Sequence, residues 1–271
     1  EAIPLTTGDG VTTLEDIDNS ALGTMEIVKG PASAIYGSGL GGVVKLNFRE
    51  PTEEGLSLRF HNAFGSWNTL HNTLSGTYKK QNSSLLAGYA HTSTDGFRQN
   101  SRYRRHNLYF HGTHSAGPHT LTASFMLTRL YAQIPSSLNR DDYQSDPTLA
   151  AANWNAIGGF EQYLKSLGGI TWTYVPGNRW SNKLSVFTRT GDPYESRPFN
   201  ILDERSGGIG LREKVTYTRA QFQATGGVEL FYEDYGWKIF ETLQGTRGEL
   251  QLHNQETRRY GNLFAHATWN P

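Results

Sequence analysis

The 271-residue sequence contains no cysteine and only 2 methionines. The absence of cysteine excludes disulfide bonds and thiolate metal sites within the chain. No stretch approaches the roughly 18 consecutive apolar residues that a membrane-spanning helix requires. A surplus of charge of one sign is also missing, because 25 basic side chains balance 25 acidic ones, so no net field favours a nucleic acid as partner. These absences exclude several classes of protein, and the class that remains has to be inferred from the order of apolar, polar and glycine residues along the chain.

Aromatic residues make up 12% of the chain, and 30 glycines accompany them. From about Leu56 onward the sequence divides into segments of about ten residues with period-two alternation. Between residues 120 and 128, for example, Leu121 and Phe125 share one face, whereas Thr122 and Ser124 share the other. Such alternation predicts a sheet with one apolar and one polar face. About ten antiparallel strands are predicted, over residues 56–65, 69–78, 84–92, 105–112, 119–128, 167–174, 180–189, 209–218, 221–232 and 260–269.

The predicted connections alternate between short and long, apart from a tight hairpin at 66–68. Short turns are predicted at 79–83, 113–118, 175–179 and 219–220, and long irregular loops at 93–104, 129–166, 190–208 and 233–259. Outer-membrane barrels have short turns at one end and long loops at the other. A soluble β-sandwich is the alternative, but compact soluble domains rarely contain a structureless loop as long as 129–166.

The placement of aromatic and charged residues also favours a membrane barrel over a sandwich. Aromatic side chains near the short turns or the chain end predict an interfacial girdle; they are Tyr78, Tyr174, Trp180, Tyr217 and Trp269. A charged side chain near the middle of a lipid face would cost about 2–4 kcal/mol. We therefore expect the charges of the polar faces to point into the barrel; they are Arg59, His71, Lys183, Arg189, Arg212 and Lys214.

The most specific motif precedes the barrel, over residues 25–48. It reads as a strand, a turn at Gly30-Pro31, a glycine-rich bend and a second strand. The glycines fit neither the dinucleotide-binding nor the P-loop pattern. The motif closely resembles the end of the plug domain in TonB-dependent outer-membrane receptors, through Glu26-Ile27-Val28, Gly30-Pro31-Ala32-Ser33, Tyr36-Gly37 and Gly41-Gly42-Val43-Val44. Lys29 stands where arginine is usual in that family, and Lys45-Leu46-Asn47-Phe48 replaces the usual ending.

The resemblance implies an all-β chain in which residues 1–52 form the C-terminal part of a plug and residues 53–271 form the N-terminal part of a transmembrane barrel of about 22 strands. It further implies a location in the outer membrane of a Gram-negative bacterium, and active import of a scarce ligand, most plausibly a ferric siderophore or another iron complex. TonB would be the energy-supplying partner, and its contact region would precede Glu1. A glycan or cobalamin importer is the alternative within the family, and a passive porin-like barrel is the alternative outside it.

The resemblance also suggests functional residues. Lys29, together with Glu26, is predicted to couple plug and barrel, because the family's cation at this position pairs with carboxylates of the wall. The alternative is a solvated lysine. Arginine forks and aromatic faces suit oxygen-rich anionic ligands, and the candidates in the plug loop and outer loops are Thr7, Asp9, Arg102, Arg104, Tyr131, Tyr143, Trp154, Tyr163 and Arg197. For residues 102–105, binding of lipopolysaccharide phosphates at the outer rim is an equal alternative.

No catalytic constellation is visible in the sequence. It contains no nucleophile elbow and no His-Glu-x-x-His motif, and its 9 histidines show no metal-ligand spacing. We therefore expect neither enzyme activity nor a resident cofactor or metal.

Overall fold

The computed structural model of the protein describes residues 16–30 and 42–270, and these residues form two antiparallel sheets. A short 3-10 turn at Asn19–Ala21 leads into the small sheet, which consists of β1 (Leu22–Lys29) and β2 (Gly42–Phe48). The strands of the large sheet are β3 (Gly55–Gly65), β4 (Thr69–Lys80), β5 (Ser83–Thr94), β6 (Tyr103–Ala116), β7 (His119–Gln133), β8 (Phe160–Tyr174), β9 (Trp180–Gly191), β10 (Tyr194–Ser196), β11 (Ile201–Arg219), β12 (Phe222–Leu243) and β13 (Thr246–Trp269). Two short helices, α1 (Arg140–Ser145) and α2 (Ala152–Ile157), lie between β7 and β8.

The small sheet contains the two strands that the plug motif predicts. Its register runs from Leu22 opposite Phe48 to Lys29 opposite Gly42. Gly42 has φ of 133°, and a β-carbon there would lie 2.3 Å from the carbonyl oxygen of Val28, so the close approach of the two strands requires glycine. The glycine-rich bend between the strands lies outside the described residues. The small sheet ends at Phe48 and the large sheet begins at Gly55, so the connection between them contains the predicted domain boundary.

The large sheet has 11 strands, and most strands pair with their neighbours in sequence. The exception is β10, which pairs with β8 and β11 beyond the point where β9 ends. Within the described residues, β3 and β13 each pair on one side only, so the sheet is open along both edges. All 11 residues of β3 are exposed. Unpaired backbone is costly in lipid, so these edges need further strands beside them in a membrane.

All ten predicted strands are present, and the short turns lie where the sequence places them. Two of the predicted long loops are wrong. Residues 233–259 continue β12 and β13 to lengths of 22 and 24 residues, joined by a tight turn at Gln244 and Gly245, which both have positive φ. Residues 190–208 hold β10 and the beginning of β11. The loops 95–102 and 134–159 remain, and α1 and α2 occupy part of the second.

The two faces of the large sheet differ in character. The outward face carries exposed apolar side chains, among them Phe64 at 81% and Leu263 at 87% exposure. The inward face buries polar side chains such as Asn107 and Thr128, and the register places the six predicted inward charges on it. The predicted girdle aromatics lie on the outward face.

The outward face of β12 is apolar or small from Phe222 to Tyr232 and becomes charged at Asp234. That span matches the roughly 9–11 tilted residues with which a β-strand crosses a bilayer. The remainder of β12 therefore extends beyond the apolar band. No helix in the described ranges is long and apolar enough to cross a membrane.

Candidate functional site: the anchor segment and the outer loops

A short segment before β1 lies on the inward face of the large sheet. We call this segment, Asp16–Ala21, the anchor segment. Its residues Asp16, Ile17, Asp18 and Ala21 are buried, and it contacts side chains of every strand from β4 to β8.

Asp16 is held through both its side chain and its backbone. Its carboxylate accepts a hydrogen bond from the Tyr163 hydroxyl and lies 3.6 Å from the Lys165 ammonium group. Lys165 in turn lies 3.9 Å from the centroid of the Tyr163 ring. The backbone carbonyl of Asp16 accepts hydrogen bonds from Asn107 at 2.6 Å and Thr128 at 3.0 Å. Strands β6, β7 and β8 therefore converge on this one residue.

Asp18 is the second buried carboxylate of the anchor segment. Its Oδ2 atom lies 3.4 Å from Arg105 and 3.9 Å from His71. Its Oδ1 atom accepts hydrogen bonds from the amide and hydroxyl of Ser20, at 2.9 and 2.6 Å, and so caps the 3-10 turn. The Ser20 hydroxyl also lies 3.0 Å from the Tyr109 hydroxyl. One carboxylate thus shapes the turn and fixes it to the wall.

An apolar contact and a second attachment support these polar ones. Ala21 packs in a buried cluster with Leu86 and Tyr109. Behind β2, the Arg49 amide donates to the carbonyl of Ala21 at 2.9 Å, and the Arg49 guanidinium donates to Ser75 of β4 at 3.0 Å. Burial of Arg49, and secondarily the nearby guanidinium of Arg59, lowers its pKa. The end of the small sheet at which β1 begins and β2 ends is therefore fastened to the wall.

The outer loops form a second organised region. Arg98 in loop 95–102 donates to the carbonyls of Leu149 at 2.8 Å and Ser136 at 2.7 Å. Asn100 donates to the carbonyls of Ile134 and Gly159, both at 2.9 Å. These bonds join loop 95–102 to both ends of loop 134–159. The two loops therefore form one folded unit.

A third loop, residues 192–200, joins this unit. Trp154 of α2 meets the Phe199 ring edge-on at a centroid distance of 6.5 Å. The Arg197 guanidinium lies 5.9 Å from the same ring and pairs with Glu195. Trp154, Arg197 and Phe199 thus form an aromatic and cationic cluster on the outer loops.

The other predicted ligand residues are not collected in one place. Tyr143 is 62% exposed on α1, and Arg102 lies 3.7 Å from Asp95. Arg104 and Tyr131 face each other across β6 and β7 on the outward side of the sheet. Tyr163 points inward to Asp16, where it is 5% exposed. Thr7 and Asp9 lie outside the described residues.

The predicted coupling residues lie in β1. Glu26 forms an ion pair with Lys45 of β2 at 3.3 Å, and both side chains are substantially exposed. Lys29 is the exposed last residue of β1. Within residues 16–30 and 42–270 it forms no ion pair with the wall, and its coupling role stays a prediction.

Sequence reasoning missed Asp16 and Asp18, which carry the contacts with the wall. One local signal was available, since an aspartate followed two residues later by serine is typical of a side-chain-capped turn. That signal predicts the turn but not its partners. Among the residues that the structure describes, no group of three or more histidine, aspartate or glutamate side chains could hold a metal ion.

No family profile matches the sequence. Solved structures do resemble it. The ferric citrate transporter FecA aligns over 98% of this chain with a TM-score of 0.73 and 15% identity. The Pseudomonas aeruginosa protein FpvA, bound to heterologous pyoverdines, aligns over 98% with a TM-score of 0.78 and 12% identity. The copper transporter OprC aligns over 98% with a TM-score of 0.75 and 13% identity.

These structures are TonB-dependent outer-membrane receptors, and the chain has their fold. The predicted fold class, an antiparallel β-barrel wall preceded by part of a plug, is confirmed at this level. The chain spans 43%, 41% and 43% of the lengths of the three structures. It corresponds to less than half of such a receptor.

Proposed function

We propose that the whole protein imports a scarce ligand, a ferric siderophore or another iron complex, across the outer membrane with energy delivered by TonB. The observation that carries this proposal is the anchor segment, which is held against the polar inner face of a sheet whose outer face is apolar. A passive porin has no need of a domain fastened inside its wall. A glycan or cobalamin importer would share the same machinery and is the alternative.

The way in which the anchor segment is held supports a movable plug. Its contacts with the wall are mostly polar and come from a few side chains, including Tyr163, Lys165 and Arg105. Water that enters a barrel can replace such contacts one by one, whereas apolar contacts would resist hydration. In this proposal Lys29 and Glu26 add a further coupling contact to the parts of the wall that lie beyond this chain.

The ligand class is inferred from the outer loops. Arg197 beside the rings of Phe199 and Trp154 offers a planar cation and aromatic faces, which suit flat, oxygen-rich anions. Among the structural neighbours, one is a ferric citrate transporter, one is bound to pyoverdines, and one is a copper transporter. An iron complex agrees with both observations.

The same proposal places the protein in a bilayer with lipopolysaccharide on its outer side. Adjacent residues in the cationic run 102–105 have separate roles, because Arg105 points inward to Asp18 whereas Arg104 is on the outward face opposite Tyr131. We infer that Arg104 contacts lipopolysaccharide phosphates and that Arg102, in the loop, remains available to ligand.

Uptake by cells that lack the gene, with and without the restored whole receptor, tests the proposal. Radioactive iron is supplied as ferric citrate and as hydroxamate and catecholate complexes, with labelled cobalamin as a parallel probe. We expect receptor-dependent uptake of at least one iron complex, abolished by a protonophore. Uptake that persists without the proton gradient would indicate a passive barrel. Uptake of cobalamin alone would favour the alternative importer.

The coupling role of Lys29 is tested in the same cells. Lys29→Glu should impair uptake and leave ligand binding to whole cells intact, because in this proposal the lysine pairs with carboxylates of the wall and does not contact the ligand. Lys29→Arg is the matched control and should retain uptake. Wild-type uptake by Lys29→Glu would show that this lysine is merely solvated.

A further inference from the structure

We propose that Arg105, Tyr163 and Lys165 transmit the arrangement of the outer loops to the plug through Asp16 and Asp18. These three side chains hold the anchor segment, and they stand directly below the two long loops. The consequence for import rests on the proposed function. The coupling itself is a property of the folded receptor and can be measured without any ligand.

The three side chains lie close to the loop ends of their strands. Loop 95–102 ends where β6 begins at Tyr103, and Arg105 follows two residues later. Loop 134–159 ends where β8 begins at Phe160, and Lys165 follows five residues later. At a rise of about 3.3 Å per residue, these side chains branch from the strands about 7–17 Å from the loop ends. A shift of either loop therefore acts on them through a short, hydrogen-bonded strand.

Loop 95–102 and loop 134–159 are joined by hydrogen bonds into one unit. Asn100 donates to the carbonyl of Gly159, the residue immediately before β8. The amide of Ile134, the first residue after β7, donates to that same carbonyl at 2.9 Å. A rearrangement of loop 95–102 therefore reaches the beginning of β8 as well as the beginning of β6.

Each of the two loops is followed along its strand by side chains that hold a different carboxylate of the anchor segment. Arg105, below loop 95–102, lies 3.4 Å from Asp18. Tyr163 and Lys165, below loop 134–159, hold Asp16. The side chains of Asp18 and Arg105 are only 2% and 14% exposed. Separation of buried ionic partners is strongly unfavourable, so loss of either contact changes how firmly the anchor segment is held.

Two further side chains hold the anchor segment by its backbone and not by a carboxylate. Asn107 and Thr128 hold the backbone carbonyl of Asp16. Thr128 pairs with Lys165 across β7 and β8, so it lies level with that lysine and differs from it in the group it bonds. Because these bonds reach the backbone, they survive changes of the Asp16 side chain. They keep residue 16 attached to the wall when its carboxylate contacts are lost.

Coupling between two sites is reciprocal: loosening the loops must loosen the anchor segment, and loosening the anchor segment must loosen the loops by the same factor. The test uses the purified whole receptor in detergent micelles. Ile17→Cys places a thiol in the anchor segment at a position that is 8% exposed, and its maleimide labelling rate reports opening. This chain contributes no other cysteine.

In the forward direction, Asn100→Ala should raise the labelling rate of the thiol at position 17 by roughly fivefold or more, the lower end of typical coupling between sites. Arg102→Ala is the matched control, because Arg102 lies in the same loop, its side chain is 61% exposed, and its ion-pair partner is Asp95 and not the anchor segment. It should change the rate less than about twofold. An equal effect of the two variants would overturn the proposal.

In the reverse direction, Tyr163→Phe should raise the rate of proteolytic cleavage in loop 134–159 by a similar factor. Lys183→Met is the control, since Lys183 is an inward-facing lysine of β9 that, within residues 16–30 and 42–270, does not contact the anchor segment. Asn100→Ser serves as a milder second variant if Asn100→Ala fails to fold, which heat-modifiable migration on gels reveals. An effect in one direction without the other would contradict reciprocal coupling.

The two proposals fail separately. If the receptor takes up iron but Asn100→Ala leaves the labelling rate at position 17 unchanged, the coupling role is wrong and the transport function is supported. If Asn100→Ala raises the labelling rate but the receptor takes up no probe, the coupling role is supported and the transport function is wrong.

Discussion

Replacing Asp16 by asparagine measures how strongly the wall holds the plug. In the structure the Asp16 carboxylate accepts the Tyr163 hydroxyl and lies 3.6 Å from Lys165, and the two ionic side chains are only 13% and 15% exposed. Removal of one partner from a buried ion pair costs about 3–5 kcal/mol. The asparagine side chain can still accept a hydrogen bond from Tyr163, and the backbone carbonyl of residue 16 keeps its two donors. We therefore expect a loss near the lower limit, about 3 kcal/mol.

This loss should appear as local opening of the anchor segment and not as unfolding of the sheet, because Asp16 lies outside the strands. About 1.4 kcal/mol corresponds to a factor of ten in an equilibrium constant, so the open fraction should rise by roughly a hundredfold. The labelling rate of the thiol in Ile17→Cys reports this fraction when closing is faster than labelling. Amide hydrogen exchange over residues 17–21 provides an independent measurement.

The double variant Asp16→Asn with Lys165→Met distinguishes an ion pair from a merely polar contact. If the ion pair is effectively buried, each single variant leaves a charge without its partner, whereas the double variant leaves none. The double variant should then open much less than the sum of the two single effects. A change of less than about fivefold in Asp16→Asn, with additive effects, would show instead that water screens this pair as it does at a protein surface.

Three further predictions concern other parts of the molecule. Glu229→Leu removes the carboxylate that lies 3.0 Å from the buried Arg212 and should lower the free energy of unfolding in urea by about 3–5 kcal/mol. Gly210→Ala would place a β-carbon 2.3 Å from an aromatic ring of β9 and should cost about 1–3 kcal/mol in the same assay, whereas Gly207→Ala, with open space around it, should be nearly neutral. Hydrogen bonds from the side chain and amide of Thr148 lower the pKa of Asp146. The support that Asp146 gives to loop 134–159 is therefore complete above the usual aspartate pKa and is lost as the pH falls through the lowered value. Proteolysis of the loop should accelerate only in that acidic range.

The strands could be predicted because an apolar outward face and a polar inward face impose a period of two on the sequence. The same physics explains the failure at 233–259. Above Tyr232 the outward face meets water, so Asp234 and Lys238 point outward there, while Tyr235 and Trp237 share the inward face. The alternation reverses its phase beyond the apolar band. A strand predicted from one continuous apolar face therefore ends where the apolar band ends, although the strand itself continues to Leu243.

The functional contacts were less accessible to sequence reasoning. Asp16 and Asp18 look like solvated carboxylates of a turn, and their partners lie 53 to 149 residues away in the chain by residue number, from His71 to Lys165. No local pattern connects such positions. Tyr163 was predicted as a ligand residue because it is aromatic and stands within a predicted loop. The structure extends β8 upward to Phe160 and turns Tyr163 inward.

The difference between the wall and the anchor segment determines where a force on the plug would act. Strands β11 and β12 pair without interruption from Ile201–Phe240 to Arg219–Phe222, and such a ladder must lose many hydrogen bonds together. The anchor segment is held instead by a few side chains, each contributing about 1–5 kcal/mol. A pull transmitted to β1 therefore meets its least resistance at Asp16 and Asp18. The first step of opening would be the exchange of Tyr163, Lys165 and Arg105 for water, with the wall unchanged.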